Sequence, residues 1–177
     1  KLNLYSMFDL SMTENAIGRG LSIVRTPQGL SEDGQPNQGY LISQSLIQRI
    51  KEQNPLTRYP DSLGSPTDVA YIAYNDGIPV GAITGSDKGE LFSCHFLVVD
   101  PALPNQGIGK NLVNSVKNDY KKITVTVSAF GEPIGLPEQE KLTRKKRLIE
   151  YYQEMGFKPN DPAVIDYNVP LHMTWEK

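Results

Sequence analysis

Two kinds of apolar spacing divide the chain into strands and helices. Val125 and Val127 alternate with threonines, the pattern of a strand with one buried face. Ile42, Leu46 and Ile50 instead recur every four residues, which is typical of an amphipathic helix. The same patterns predict strands over 21–26, 68–74, 78–84, 90–99 and 123–128, with two closing strands near 157 and over 169–175. The predicted helices run through 42–54, 108–120 and 142–155.

Turn signals connect these elements into one domain. Asn75, Asp76 and Gly77 form a strong hairpin signal, so the two strands around them should pair antiparallel. The length of 177 residues suits a single unit. We therefore predict an α+β (mixed α/β) fold over residues 21–177, preceded by an N-terminal extension over residues 1–20. Within that extension, the capping-box spacing of Ser11–Glu14 predicts at most a short helix.

The charge and composition exclude several classes of partner. A net charge of −2 gives no general attraction to nucleic acid or to anionic membranes, so neither is predicted as a partner. The single cysteine, Cys94, cannot form an intramolecular disulfide, and a reducing cytoplasm is the simplest expectation. The chain has no apolar run long enough for a transmembrane helix.

The segment that carries most chemical information is a strand followed by a glycine turn and a helix. Leu97–Asp100 leads through Pro104 to Gly107 and Gly109, where the 108–120 helix begins. The free amides of a helix N-terminus and the helix dipole favour an anion such as phosphate. A Walker loop is excluded because no GK[ST] follows, and a dinucleotide fingerprint lacks its third glycine.

Three segments resemble the GCN5-related N-acetyltransferase (GNAT) superfamily. "LVVDPALPNQGIGKNLV" is similar to its pyrophosphate-binding motif [QR]-x-x-G-x-[GA], although Pro104 stands where the family usually has Gln or Arg. "LIEYYQEMGFKP" resembles the family's helix-to-strand signature, in which a tyrosine precedes Gly-Phe by four residues. "YNDGIPVGAI" resembles the hairpin between its second and third strands.

This resemblance implies a fold and a cofactor. The fold would be a twisted, mostly antiparallel sheet of six to seven strands flanked by about four helices, with splayed strands at the acetyl-CoA site. Acetyl-CoA would be a co-substrate, its pantetheine lying along the fourth strand and its pyrophosphate on the glycine turn. The residues so implied are Leu97, Val98, Val99, Pro104, Asn105, Gln106, Gly107, Ile108, Gly109 and Lys110, with Lys145 as a candidate for the 3′-phosphate of CoA.

The resemblance also points to catalytic groups. Tyr152 matches the family tyrosine and would protonate the departing thiolate, whereas Tyr151 points about 100° away on a helix. His95 is the best candidate for the base, because it lies on the fourth strand, on the face of Leu97 by the period of two, and carries an imidazole, a side-chain type suited to proton transfer near neutral pH. A covalent route through Cys94 is disfavoured, since a strand cysteine is usually a buried small side chain. No Cys/His cluster predicts a metal.

The predicted function is therefore acetyl-CoA-dependent N-acetyl transfer, directly to a primary amine of a small molecule or protein. The alternative is a non-catalytic acyl-CoA-binding or protein-interaction module with the same fold, which the departure at Pro104 keeps open. The sequence leaves open the acceptor and the oligomeric state, a homodimer included.

Overall fold

The computed structural model describes residues 20–27, 38–59, 69–128, 133–162 and 169–177, to which every structural statement refers. The predicted N-terminal extension and its short helix at Ser11–Glu14 lie outside these residues, apart from Gly20. Among the helices described, none has the length and apolar character needed to cross a membrane.

One seven-stranded sheet, in the order β1-β2-β3-β4-β5-β7-β6, forms the centre of the molecule. Neighbouring strands are antiparallel except β4 and β5, which run parallel. The strands are β1 (Leu21–Pro27), β2 (Val69–Asn75), β3 (Ile78–Lys88), β4 (Leu91–Val99), β5 (Lys122–Val127), β6 (Lys158–Pro159) and β7 (Leu171–Glu176). This sheet confirms the predicted fold class.

Helices cover both faces of the sheet. The described residues contain α1 (Gln38–Gln53), α2 (Ile108–Asp119) and α3 (Glu138–Glu154). The buried face of α1 packs with Ile72 and Val98 in one apolar cluster, whereas α2 and α3 pack with Phe92 and Ile123 in a larger one. Removal of these apolar side chains from water is the main favourable term that holds the layers together.

Most of the predicted strand and helix ends agree with the structure within two or three residues. The main difference is the length of β3. It was predicted to end at residue 84 but continues to Lys88, because Ser86, Asp87 and Lys88 pair with the first residues of β4. These polar side chains give no apolar alternation, so the pattern could not show that the backbone continues as a strand.

A polar network anchors the C-terminal end of α2 to the sheet. The Arg25 guanidinium lies 3.3 Å from Asp87 and 3.7 Å from Asp119, and it donates a hydrogen bond to the hydroxyl of Tyr120. The Tyr71 hydroxyl donates to the Asp119 carboxylate at 2.5 Å, and burial together with this hydrogen bond raises the pKa of Tyr71. This network therefore lies at the opposite end of α2 from its N-terminus.

Gly81 in β3 allows α2 to lie close to the sheet. A β-carbon at this position would lie 2.9 Å from Ile108 Cγ2, 3.1 Å from Leu112 Cδ1 and 3.2 Å from the carbonyl oxygen of Val98. The close approach therefore sets the position of the first turn of α2.

We expect Gly81→Val to destabilise the protein by about 1–3 kcal/mol, because overpacking would force α2 away from β3. Valine favours strands, so the loss can only come from crowding. Urea denaturation measures it, with Ile78→Val as the control on the same strand, where the side chain is 56% exposed. The control should stay within about 0.5 kcal/mol of the wild type, and an equal effect of both substitutions would contradict this account.

Candidate functional site

The site begins where β4 and β5 separate. Only three residue pairs join these strands, from Leu91↔Lys122 to Ser93↔Thr124. Beyond them β5 continues with β7 as its partner, through Val125 to Val127, while β4 continues with β3. The two halves of the sheet therefore diverge and leave a gap along the second half of β4, which is the splay that the resemblance implied.

The backbone of β4 presents polar groups to this gap. The amide of Asp100 donates to the carbonyl of Val80 on β3 at 2.8 Å. Amide directions alternate along an antiparallel strand, so the amide of Val98 also points to β3, while those of Leu97 and Val99 point to the gap. Val98 is buried against the α1 cluster. Of the three residues predicted to contact the cofactor on β4, only Leu97 and Val99 therefore direct their backbone amides to the gap, whereas the amide of Val98 points to β3.

A glycine turn forms the N-terminus of α2 at the end of β4. Asn105 and Gly107 have φ of +60° and +68°, and the first helical hydrogen bond runs from the amide of Asn111 to the carbonyl of Gly107 at 3.0 Å. The amides of the first helical turn thus have no helical partner. They face an open cavity of about 690 Å³, lined by Val99, Asp100, Pro101, Leu103, Pro104, Asn105, Gln106, Gly107, Ile108, Gly109, Lys110 and Tyr151. All seven predicted loop residues lie on this cavity.

Tyr151 on α3 closes one side of the same cavity, which the sequence did not predict. A β-carbon at Gly109 would lie only 2.4 Å from the Tyr151 hydroxyl oxygen, so this hydroxyl is in contact with the first turn of α2. Beside it, the Lys110 ammonium lies 3.1 Å from the Glu154 carboxylate. One sequence signal could have indicated this role. Tyr151 and Tyr152 are consecutive on a helix, so their side chains point about 100° apart and must lie in different environments.

A second cavity, of about 130 Å³, lies within the gap itself. Its walls are formed by Cys94, His95, Phe96, Leu97, Val125, Thr126, Val127, Ser128, Leu148 and Tyr152. The structure thus brings together the two predicted catalytic residues, Tyr152 from α3 and His95 from β4. On the β5 side, Thr126 Oγ1 lies 3.0 Å from Nδ1 of His172 on the neighbouring strand.

His95 occupies an irregularity in β4. The register pairs Thr84 with Phe96 and Gly85 with Cys94, so His95 is the extra residue of a bulge. This interrupts the period of two on which its predicted face depended: Cys94 and Leu97, three residues apart, pack on the same cluster. The imidazole is exposed, with Nε2 2.8 Å from the Ser86 hydroxyl.

Two neighbouring tyrosines have raised pKa values. Tyr152 is 8% exposed, and burial, followed by the nearby Cys94 and Tyr151, raises the pKa of its phenol. Burial and then Glu154 raise the pKa of Tyr151 to about 12. Both phenols therefore keep their protons at neutral and moderately alkaline pH and can act as hydrogen-bond or proton donors.

The Cys94 thiol is a poor nucleophile. Burial raises its pKa to about 12, although a backbone hydrogen bond at Phe96 acts in the opposite direction. Because the thiolate is the reactive form, little of it exists near neutral pH.

Lys145, the predicted candidate for the 3′-phosphate of CoA, is buried. It is 8% exposed, and its ammonium donates a hydrogen bond to the carbonyl oxygen of Val169. It does not line the cavity at Gly107 and Gly109, so a contact with the 3′-phosphate of CoA has no support in this arrangement. The physical reason is helical spacing, which places Lys145 on the buried face of α3 two turns before Tyr152.

No group of three or more His, Cys, Asp or Glu side chains that could hold a metal ion occurs within the described part of the chain.

Comparison with known proteins agrees with this geometry. A family model described as an acetyltransferase (GNAT) domain matches residues 66–159. That range contains β2 to β5, α2, α3 and both cavities, and it spans more than half of the chain. The chain belongs to the GNAT acetyltransferase family. A search of curated protein sequences gave no match.

Solved structures of similar fold come from diverse organisms. A GNAT-family acetyltransferase from Streptococcus pneumoniae is 13% identical, covers 88% of this chain and 100% of its own, and superposes with a TM-score of 0.54. Arabidopsis thaliana Naa50, in complex with a bisubstrate analogue CoA-Ac-MVNAL, is 18% identical, with coverage of 89% and 99% and a TM-score of 0.54. The aminoglycoside 6′-N-acetyltransferase from Enterococcus faecium is 15% identical, with coverage of 86% and 96% and a TM-score of 0.54. At these identities the likeness concerns the fold.

The buried phenol of Tyr152 should make the protein less stable in alkali. Its pKa is higher in the folded than in the unfolded chain, where a tyrosine titrates near about 10. The resulting stability is complete below about pH 10 and is lost as the pH rises further, because the unfolded state then binds fewer protons. Urea denaturation between about pH 8 and 11 should show a smaller loss of stability in Tyr152→Phe than in the wild type. Parallel curves for the two proteins would show that this phenol does not titrate differently on unfolding.

Proposed function

We propose that the protein is an acetyl-CoA-dependent N-acetyltransferase that moves the acetyl group directly to a primary amine. The observation that carries the proposal is that two cavities follow one another along β4, one lined by residues 94–97 and the next by Val99 and the loop beyond it. One lies at the N-terminus of α2, where amides favour pyrophosphate, and the other lies in the gap between β4 and β5, beside a protonated tyrosine. This arrangement suits a cofactor with an anionic end and a thioester end.

The backbone of β4 would hold the cofactor arm between these ends. The pantetheine arm of CoA contains two amide groups, and the amides of Leu97 and Val99 point into the gap where β5 no longer pairs. An extended ligand can therefore add to this edge as a further strand would. Hydrogen bonds made in this way position the thioester against the catalytic side chains, which lowers the entropic part of the barrier.

Tyr152 would act as the general acid. The neutral amine attacks the acetyl carbon, the carbon–sulfur bond breaks, and the departing thiolate accepts the phenolic proton. The phenolate then takes up the remaining proton from the nitrogen, so that a neutral amide and a neutral phenol result. Loss of CoA as a thiol avoids leaving a thiolate in a cavity whose walls include the apolar side chains of Leu97, Val125 and Leu148. The raised pKa keeps Tyr152 protonated until this transfer occurs.

His95 would remove the proton from the amine. An alkylammonium group has a pKa near about 10.4 and must be deprotonated before attack. His95 lines the same cavity as Tyr152 and is exposed, so an acceptor and water can reach it. Direct transfer is favoured over an acetyl-enzyme because burial holds Cys94 in its unreactive thiol form.

The acceptor in this proposal is a primary amine of a small molecule or a protein. A module that binds acyl-CoA without catalysis, or that only binds another protein, would share the fold but fail one of the two tests below. Binding of CoA distinguishes the enzyme and the acyl-CoA-binding module from a module that only binds another protein. Release of free thiol in the presence of amines then distinguishes the enzyme from the acyl-CoA-binding module.

CoA should bind with a dissociation constant in the micromolar to millimolar range, and Lys110→Glu should weaken this binding at least about tenfold by placing a negative charge at the pyrophosphate. The matched control is Lys121→Glu. Each lysine is paired with a glutamate, Glu154 or Glu90, so each substitution breaks one surface ion pair and changes the charge equally. Isothermal titration calorimetry measures both. Equal affinity of the two variants would place the anion site elsewhere.

Tyr152→Phe should lower turnover by about 10²- to 10⁴-fold, the usual range for one acid–base group. Affinity for acetyl-CoA should change little, since only the hydroxyl is removed. The measurement is release of free CoA at saturating acetyl-CoA, with a panel of amines to provide an acceptor. A folded variant with wild-type turnover would end the role of Tyr152 as the acid.

A further inference from the structure

We propose that the hydroxyl of Tyr151 is a cofactor-binding group, which donates a hydrogen bond to the pyrophosphate of CoA at the first turn of α2. This rests on the proposed function, since it assumes that the anion held there is that of CoA. It assigns to Tyr151 a role different from that of its neighbour Tyr152.

The position of the hydroxyl is the first argument. Tyr151 lines the 690 Å³ cavity together with the Pro104–Lys110 loop. Among the residues that the structure describes, it is the one lining residue from outside the segment 99–110. The oxygen touches Gly109, with only 2.4 Å to the place where a β-carbon would stand, whereas the ring carbon Cζ lies at 3.5 Å. The hydroxyl thus lies beside the amides that would bind the anion.

The composition of the loop is the second argument. Pro104 begins the loop with neither an amide hydrogen nor a side-chain donor. The backbone amides that follow, and the Lys110 ammonium at the rim, would be the other donors. A phenol supplied by α3 adds a neutral donor beside these amides, so that an anion in the cavity would be held by groups from two elements of the fold.

The protonation state is the third argument. Burial, and the negative charge of Glu154, raise the pKa of Tyr151 to about 12. The group therefore carries its proton throughout the physiological range. A phenol that stays neutral donates to phosphate without adding repulsion, which an ionised group would cause.

The helix itself separates the roles of the two tyrosines. Consecutive residues on α3 point about 100° apart, and the rings meet edge to face with centroids 5.7 Å apart. Tyr151 faces the α2 N-terminus and Tyr152 faces the gap between β4 and β5. One helical turn would therefore serve the anionic end and the thioester end of the same ligand.

Two matched substitutions test this division. Tyr151→Phe should weaken CoA binding about 10- to 100-fold, the range for a hydrogen bond to a charged group, while Tyr152→Phe should leave CoA affinity nearly unchanged. The same measurement with dephospho-CoA, which keeps the pyrophosphate but lacks the 3′-phosphate, should show the same loss for Tyr151→Phe. Calorimetry supplies the affinities, and circular dichroism confirms that each variant is folded.

Gly109→Ala provides a second test through the contact between the two residues. A methyl group at this position would displace the Tyr151 hydroxyl, and should therefore weaken CoA binding in the wild-type background. In the Tyr151→Phe background, where no oxygen remains to be displaced, the same substitution should cost little more. Such non-additivity in CoA affinity is the signature of a shared interaction with the ligand.

The outcomes are distinguishable. If the wild type binds CoA and Tyr151→Phe binds it equally well, the inference is wrong and the proposed function stands. If the loss occurs with CoA but not with dephospho-CoA, the hydroxyl serves the 3′-phosphate and the assignment to the pyrophosphate is overturned. If the wild type itself fails to bind CoA, the proposed function fails and this inference fails with it.

Discussion

The separation of β4 from β5 is the constraint on which the site depends. Both strands begin as a parallel pair, and each then follows a different antiparallel partner, β3 or β7. A parallel connection requires a crossover, and α2 provides it, so the helix N-terminus necessarily lies at the end of β4 next to the gap. The bulge at His95 adds local twist at the point of divergence. Anion site, strand edge and catalytic cavity are thus consequences of one topological feature.

An internal strand edge is costly unless something covers it. The amides of Leu97 and Val99 face the gap, and backbone polar groups removed from water without partners cost free energy. Side chains from α3, among them Leu148 and Tyr152, close the gap from one face of the sheet and leave room for an extended ligand. The same edge that would weaken an ordinary sheet therefore gives this one an affinity for a ligand that carries amides of its own.

Local sequence signals predicted the elements and the glycine turn well, because each depends on neighbouring residues. The hairpin at Asp76 and Gly77, the alternation in β5 and the turn at Gly107 all appear as expected. Features that depend on contacts between elements distant in sequence were not predicted. The bulge that reorients His95 depends on how β3 and β4 pair, and the inward direction of Lys145 depends on which face of α3 meets the sheet. The spacing of Lys145 could have indicated its burial, because it lies seven residues, or about two helical turns, before Tyr152 and therefore on the same face of α3.

The placement of α3 links recognition to catalysis. Its Lys110–Glu154 ion pair, and the hydrogen bond from Lys117 to the carbonyl of Met155, tie its C-terminal turn to α2. Tyr151 and Tyr152 lie just before these contacts, so their positions relative to the two cavities are set together. A substitution that removes one hydroxyl changes one interaction, whereas a shift of α3 against α2 would disturb both. Because an error of about 1 Å in catalytic geometry can cost a hundredfold in rate, the packing of α3 on α2 bears on activity as much as the tyrosines themselves.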